Sequence, residues 1–461
     1  MTTTTKAPRP ERVVHYVLGV GFLVMLALSL PGHMTYDSLA QLREGRLGVH
    51  ATWGPVVYAA ILGFFDHLAP GPGLYVTASG ALLYGSLMSL TDLRPRVSWW
   101  AVAAAGLLVL APALLIYQGI VWKDVLFANL AVAAFVQQAR LARDWDGAGP
   151  HPWGRLLAIM LMLALAAQVR QNGIVAGLVA AGALGWTVRA RGGRAIAAWG
   201  LGGFVAVLVA GALISWLATP PKSPEAAPPK TGLRIVQTYD IVGMAKLEPT
   251  LQLKQIAAFS ESSAQMVQTR GARLYSPERI DYLKVDDEFS YVLDTIPNEV
   301  ISRQWFELLK SHPLTYLKVR FADFYWVFLT PKIDSCLPFA VGVDAPAGLA
   351  AEMKAPLGLD PVDQYLVNYA SWLLDTPVFS HAAYFLIAVG AAGLLLWRRD
   401  PQDVPIAAMA LAGIAFTGTF AIISIACDYR YLYFLDLSAL VAAFYVSLDP
   451  SRSGAGQGAA E

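Results

Sequence analysis

Ten long apolar runs, nearly free of charged residues, dominate this chain. The hydrocarbon core of a bilayer is about 30 Å thick and needs roughly 20 apolar residues per helix, a length that most of these runs meet or approach. Lipid cannot hydrogen-bond an open backbone, so such runs cross a membrane as helices. The runs are 13–30, 73–90, 97–121, 125–139, 156–169, 173–188, 195–221, 376–397, 404–427 and 431–448.

Composition agrees with this interpretation. Of the 461 residues, 56% are hydrophobic and 15% are charged, which excludes an ordinary water-soluble domain. The formal net charge of +1 gives no basic field for nucleic acid. The sequence therefore predicts an all-α polytopic membrane protein with about ten transmembrane helices, outer juxtamembrane helices and a small, mostly helical extracytoplasmic cap.

The predicted organisation has four parts. Residues 1–218 form an N-terminal transmembrane module with outer loops, and 219–376 form the cap, which opens with a Pro-rich linker. Residues 377–448 hold the C-terminal transmembrane helices, and 449–461 form a disordered cytoplasmic tail. Run 13–30 is too long for the core of a signal peptide and is predicted to remain as the first span. Whether Cys336 and Cys427 are bonded stays open.

The positions of basic residues predict the topology. An additional short apolar stretch, 51–65, opens with Trp53-Gly54-Pro55 and would place several basic clusters outside if it spanned. If it stays on the outer side, all the clusters fall in the cytoplasm. The sequence then predicts a plasma (inner) membrane protein with both termini cytoplasmic. Five segments are predicted to face outward: 33–73, 118–124, 170–173, 220–375 and 428–431.

Polar and charged side chains gather in these outer segments at the membrane boundary. Asp37 and Gln41 are spaced i,i+4, so both side chains can share one face of a short helix. Asp124 follows Lys123 at the start of a span. The residues gathered there, which form the candidate site, are Tyr36, Asp37, Gln41, Lys123, Asp124, Arg170, Asn172, Arg430 and Tyr431.

The order of these features resembles the GT-C glycosyltransferase superfamily, which includes protein O-mannosyltransferases and the aminoarabinose transferase acting on lipid A. The resemblance rests on a first span, an acidic residue on an outer amphipathic helix, a short helix opened by Trp53-Gly54-Pro55, and a second acidic residue in the next outer loop. It covers the first ~200 residues in layout. Many relatives have His-Pro-Pro or Lys-Pro where this chain has Trp53-Gly54-Pro55.

The resemblance implies transfer of a sugar from a polyprenyl-phosphate carrier to a lipid, glycan or protein acceptor on the outer face. Asp37 would activate the acceptor, and Asp124 would orient it or share a divalent metal ion with Asp37. Lys123, Arg170 and Arg430 would neutralise the carrier phosphate. The implied partners are membrane lipids, the lipid-linked donor and the acceptor.

The residues also leave structural interpretations open. Asp37 could cap its helix, Lys123 and Asp124 could form a local pair, and Asn172 could serve only a tight turn. Two other classes of function remain as alternatives: a transporter or lipid flippase, and a non-catalytic membrane scaffold. A transporter would favour internal repeats with polar residues at mid-membrane, whereas the charges here collect at one surface.

Overall fold

The structure, a computed structural model, describes residues 9–52, 54–145, 152–220 and 232–450. It is built almost wholly from helices, and each of the ten predicted apolar runs is mainly helical. By length and composition, seven helices of the described chain can cross a membrane, or eight if one bent pair is a single span. The described chain is therefore an all-α polytopic membrane protein.

The seven or eight helices that can cross a membrane are fewer than the ten predicted spans for two physical reasons. Run 97–121 is broken at Pro112, where the preceding Ala111 is extended and the two helical parts bend by 62°. Two further helices, Trp153–Val169 and Ile174–Thr187, have only 17 and 14 residues because a short turn separates them. At 1.5 Å per residue they are about 26 and 21 Å long, shorter than a typical span.

The chain divides into two compact units. The first consists of residues 1–226, 339–416 and 432–461, and the second of 227–338 and 417–431. Helices of the first unit are α1 (Pro10–Ser29), α2 (Tyr36–Leu47), α3 (Val56–Leu68), α4 (Gly73–Ser89), α5 (Trp99–Leu110), α6 (Pro112–Leu115), α7 (Lys123–Arg143), α8 (Trp153–Val169), α9 (Ile174–Thr187) and α10 (Gly193–Ala218).

The second unit is a helical domain with its own core. Its helices are α11 (Gly232–Leu247), α12 (Lys254–Phe259), α13 (Glu261–Met266), α14 (Ala272–Leu274), α15 (Asp287–Thr295), α16 (Asn298–Ser311) and α17 (Pro313–Leu329). Apolar residues such as Val242, Ile256, Phe289 and Ile301 pack together in its interior. Segment 417–431 joins this unit through a Cys336–Cys427 disulfide and a hydrogen bond from Ile280 N–H to Ile425 O of 2.8 Å.

The remaining helices are α18 (Ala347–Met353), α19 (Pro361–Leu373), α20 (His381–Arg398), α21 (Asp403–Ile423) and α22 (Tyr433–Leu448). Two short strands, β1 (Met34–Thr35) and β2 (Val343–Asp344), pair in parallel in the first unit. Of the predicted cap, 227–338 thus belong to the second unit, whereas 339–376 pack with the first. Most of the predicted tail, 451–461, lies outside the described residues.

Basic residues collect at one end of the first unit. Arg94 is buried and binds Asp403 at 2.6 Å and Asp400 at 3.0 Å. Arg143 donates to the carbonyl of Asp92, which brings the basic clusters at 94 and 143 together. This end also holds the C-terminus of α22, because Ser98 N–H donates to Leu448 O at 2.9 Å.

Candidate functional site

Two predicted outer segments meet through their backbones in the first unit. His33 N–H donates to Gly119 O, and Val121 N–H donates to His33 O, both at 2.9 Å. The Trp122 indole N–H donates to the Thr35 hydroxyl at 3.1 Å. Because α2 begins directly after Thr35 and α7 directly after Trp122, the two helices start from segments that are joined by these hydrogen bonds.

Asp37 lies in the first turn of α2 but does not cap it. The N-cap residue is Thr35, which forms a capping box with Ser38; the Ser38 hydroxyl accepts from Thr35 N–H at 3.0 Å. The alternative that Asp37 serves as the helix cap is therefore wrong. Because Thr35 and Ser38 cap α2, its start does not need the Asp37 side chain as a cap. Asp37 is half-buried, and the neighbouring Tyr36 is exposed.

Asp124 and Arg170 form a buried ion pair, although they are far apart in the sequence. Arg170 also donates through Nε to Asn172 Oδ1 at 3.2 Å, and its guanidinium lies 5.5 Å from the centre of the Phe416 ring. The structure thus brings together three of the predicted site residues. Lys123 opens α7 immediately before Asp124.

The turn that presents Arg170 and Asn172 depends on a glycine. A Cβ added at Gly173 would lie 2.6 Å from the Phe127 ring, closer than any side chain tolerates. The sequence identified this turn from Asn172-Gly173 but gave no reason for a close approach to α7. Gly173 therefore lets the α8–α9 connection pack on α7 next to Asp124.

Gln41 and Glu44 support the loop that leads into α3. A Cβ at Gly54 would lie 2.0 Å from Gln41 Nε2, so the Gly54 backbone packs directly on that amide. Glu44 is buried and accepts from Ala51 N–H at 2.7 Å and from Thr52 N–H. Glu44 was not predicted, because a carboxylate on an amphipathic helix looks like a surface residue. Trp53 of the same loop lies outside the described residues.

Arg430 and Tyr431 belong to the second unit. Arg430 contacts Asp428 at 3.2 Å, and Asp428 also binds Arg279 at 3.1 Å. The carboxylate of Asp428 therefore lies between two guanidinium groups. The binding roles of Arg430 and Tyr431 stay predictions.

The described residues do not fit the predicted metal ion. Among them, no group of three or more His, Cys, Asp or Glu side chains is placed to hold one. Asp124, one of the two predicted ligands, has the positive charge of Arg170 at its carboxylate instead. A second cation at the same oxygens would have to displace that arginine.

An apolar groove of about 490 Å³ opens at the same end of the first unit as the Asp124–Arg170 pair. Helices α3, α4, α7, α8 and α10 line it, with Leu126 and Leu130 from α7 and Leu165 from α8. Leu126 and Leu130 lie within two helical turns of Asp124 along α7 but on another face of that helix. The groove and the charged pair therefore share an end of the first unit, and neither Asp124 nor Arg170 lines the groove.

A second cavity, of about 400 Å³, lies on the other side of β1 and has a mixed lining. His33 borders it, and its Nδ1 accepts from Gly342 N–H at 3.1 Å and lies 3.4 Å from Asp363. Burial lowers the pKa of His33, against the opposing effect of the nearby carboxylates of Asp363 and Asp360. His33 is thus neutral at physiological pH and has a structural partner.

No protein-family model and no curated protein sequence matches the chain. Among the solved structures that match it are two of an archaeal oligosaccharyltransferase. One is the archaeal oligosaccharyltransferase AglB from Archaeoglobus fulgidus in complex with an inhibitory peptide and a dolichol-phosphate, at 14% identity and a TM-score of 0.41. The other is the Archaeoglobus fulgidus oligosaccharyltransferase in its apo form, at 13% identity and a TM-score of 0.42.

Each match covers 94% of this chain and 50% of the solved chain, so the protein spans about half the length of the structures that it matches. A likeness at this level does not establish a shared activity.

Proposed function

We propose that the protein is a membrane glycosyltransferase that moves a sugar from a polyprenyl-phosphate carrier to a hydroxyl or amine acceptor on the outer face. The observation that carries the proposal is the buried Asp124–Arg170 pair at the start of α7, which is hydrogen-bonded through Trp122 to the start of α2 with Asp37; an apolar groove opens at the same end of the first unit. A long apolar tail joined to a charged phosphate has the chemistry that such a neighbourhood accommodates.

The groove would take the polyprenyl chain and the basic residues its phosphate. The walls supplied by Leu126, Leu130 and Leu165 offer apolar contact without hydrogen-bond demands. Arg170 and Lys123 lie where α8 ends and α7 begins, at the boundary of the apolar layer. A guanidinium binds phosphate oxygens in a bidentate manner and would share its charge between Asp124 and the phosphate.

Asp37 would act as the base. The acceptor oxygen or nitrogen attacks the anomeric carbon of the sugar, the bond from that carbon to the phosphate oxygen breaks, and Asp37 takes the acceptor proton. The polyprenyl phosphate leaves with the bonding electron pair, and Arg170 and Lys123 stabilise its negative charge. This leaving group needs no strong acid.

One observation supports an outer position for this site. The basic clusters at 94 and 143 lie at the opposite end of the helices of the first unit, which the positive-inside rule assigns to the cytoplasm. For the second unit taken by itself, the Cys336–Cys427 disulfide is typical of an oxidising, extracytoplasmic compartment. We accordingly infer an inner-membrane protein with both termini cytoplasmic.

The test is a deletion strain whose lipids and surface glycans are analysed by mass spectrometry. We expect one sugar to disappear from an envelope acceptor while its polyprenyl-phosphate form accumulates on the outer leaflet. Wild-type protein should restore the sugar, and an Asp37→Asn variant at matched expression should not. Accumulation of the lipid-linked sugar on the inner leaflet alone would instead indicate a flippase, and unchanged glycans and lipids would refute the transferase.

A further inference from the structure

Helix α17 turns its charged residues inward. Arg320 and Asp323 are 3% and 1% exposed, and they lie on the same face as the buried Val319 and Val327. Arg320 pairs with Asp323 at 2.9 Å and with Asp240 of α11, and the Tyr275 hydroxyl donates to Asp323 at 2.7 Å. The charges of Arg320 and Asp323 are therefore paired inside the second unit.

The opposite face of α17 is apolar and exposed. Its residues recur every three or four positions, which places them on one stripe of a helix. Their exposed fractions fall between 42% and 73%, and Lys318 is exposed beside them. The stripe consists of Leu314, Leu317, Phe321, Tyr325 and Leu329.

The preceding helix shows the ordinary arrangement. In α16 the apolar Ile301 and Leu308 are buried, and Glu299, Arg303 and Lys310 are exposed, with Phe306 as an exception. Both helices pack on the same core. The inversion in α17 is thus a property of that helix, and an exposed apolar stripe of this length marks a surface that contacts something apolar.

A contact with α21 fixes the depth of α17 relative to the membrane. Arg320 donates to Ile422 O at 3.0 Å and to Ser424 O at 2.9 Å, at the C-terminal end of α21. Helix α21 is one of the candidate spans, and the ends of spans lie in the headgroup layer. Ile422 itself is 62% exposed, as a lipid-facing residue of a span is.

We propose that α17 lies in the plane of the membrane interface, with its apolar stripe buried in the lipid at the headgroup and acyl boundary. The occupant of the stripe is the bilayer, because Arg320, midway along the stripe, contacts the end of a lipid-facing span. Lys318 would meet anionic headgroups. The proposal does not rest on the transferase activity.

Spin labelling of the full-length protein tests this placement. The two native cysteines form a buried disulfide, so a nitroxide reagent would modify only the new thiol of Phe321→Cys. In phosphatidylcholine and phosphatidylglycerol vesicles, we expect the label to collide with oxygen more than with a water-soluble nickel chelate. The collision ratio should place it about 5–10 Å below the headgroups.

Arg303→Cys on the exposed face of α16 is the matched control and should show the reverse preference. Leu317→Cys repeats the test if the Phe321 variant does not fold. A label at position 321 that prefers the nickel chelate would overturn the proposal in favour of an aqueous surface. A label shielded from both reagents would overturn it in favour of a protein partner or second copy.

Discussion

Each unit contains a buried arginine with aspartate partners, and the two clusters differ in what their charges are used for. In the first unit Arg170 has one aspartate, Asp124, at the same end of the unit as an apolar groove. In the second unit Arg320 has two, Asp240 and Asp323, deep in a helical core. The Asp124–Arg170 pair is neutral in total. The Arg320 cluster carries one excess negative charge unless one of its two carboxyl groups is protonated.

The partners of each arginine explain this difference. Arg320 also holds two backbone carbonyls of segment 417–431, while the Trp305 indole donates to Asp240 and the Tyr275 hydroxyl to Asp323, both at 2.7 Å. Every side of that cluster faces protein. Arg170 lies instead at the end of α8, at the same end of the first unit as the apolar groove. A buried charge pair is a candidate for a binding site when a cavity opens at the same end of the unit.

The largest expected effect is on folding, from Arg320→Ala. The substitution leaves two buried carboxylates without a counter-charge, which typically costs about 3–5 kcal/mol. We expect a clear drop in the thermal unfolding midpoint of the purified protein in detergent. Arg303→Ala on exposed α16 is the control and should stay within about 0.5 kcal/mol of wild type. Equal midpoints for the two variants would mean that the Arg320 cluster does not stabilise the second unit.

The next effect concerns chemistry beside the Arg170 cluster. Asp37→Asn removes a charge but not the N-cap, because Thr35 caps α2. We expect wild-type expression and unfolding, with transfer activity in membranes reduced by roughly two or more orders of magnitude. Asp287→Asn, in the exposed first turn of α15, is the matched control and should retain activity. Activity of Asp37→Asn within a few-fold of wild type would remove Asp37 as the base.

Replacing Arg170 by Lys tests whether the geometry of the guanidinium matters. Lysine keeps the charge next to Asp124 but cannot bind phosphate oxygens in a bidentate manner. We expect the affinity for undecaprenyl phosphate to fall about tenfold, which corresponds to about 1.4 kcal/mol. Arg96→Lys, an exposed residue at the basic end of the first unit, should bind as wild type does. Unchanged affinity in Arg170→Lys would indicate that the Asp124–Arg170 pair is structural, like that of Arg320.

The smallest expected effect is a pH dependence of the stability of the second unit. Burial raises the pKa of Asp323 to about 7 and that of Asp240 to about 6, although Arg320 opposes both shifts. The pKa of Asp323 in the folded protein exceeds its unfolded value of about 3.9. The contribution of Asp323 to the free energy of unfolding is therefore complete below about pH 4 and is lost as the pH rises through about 7. The free energy of unfolding changes by at most about 1.4 kcal/mol per pH unit for one group.

Asp323→Asn should therefore flatten the dependence of the unfolding midpoint on pH between about 5 and 8. Asp287→Asn should leave the dependence as in wild type, because Asp287 is exposed. If the Asp323 variant and the wild type show the same slope, the proton lies on another group of the cluster.

Much of the fold could be predicted because it depends on local sequence. Each apolar run became a helix, since a backbone in lipid must satisfy its own hydrogen bonds along the same segment. The Asn172-Gly173 turn also followed from local preferences. The number of spans did not, because the break at Pro112 divides one apolar run into two helical parts bent by 62°, and α8 and α9 have only 17 and 14 residues.

The sequence by itself determined which residues are charged at the ends of apolar helices, and hence that Asp37, Asp124 and Arg170 were candidates. Only the tertiary structure decided that Arg170 binds Asp124 and that Cys336 and Cys427 are bonded. It also decided that α17 buries its charges and exposes its apolar residues. Helix formation follows from interactions between near neighbours, whereas these pairings join residues up to 91 positions apart, whose proximity depends on the packing of the whole unit.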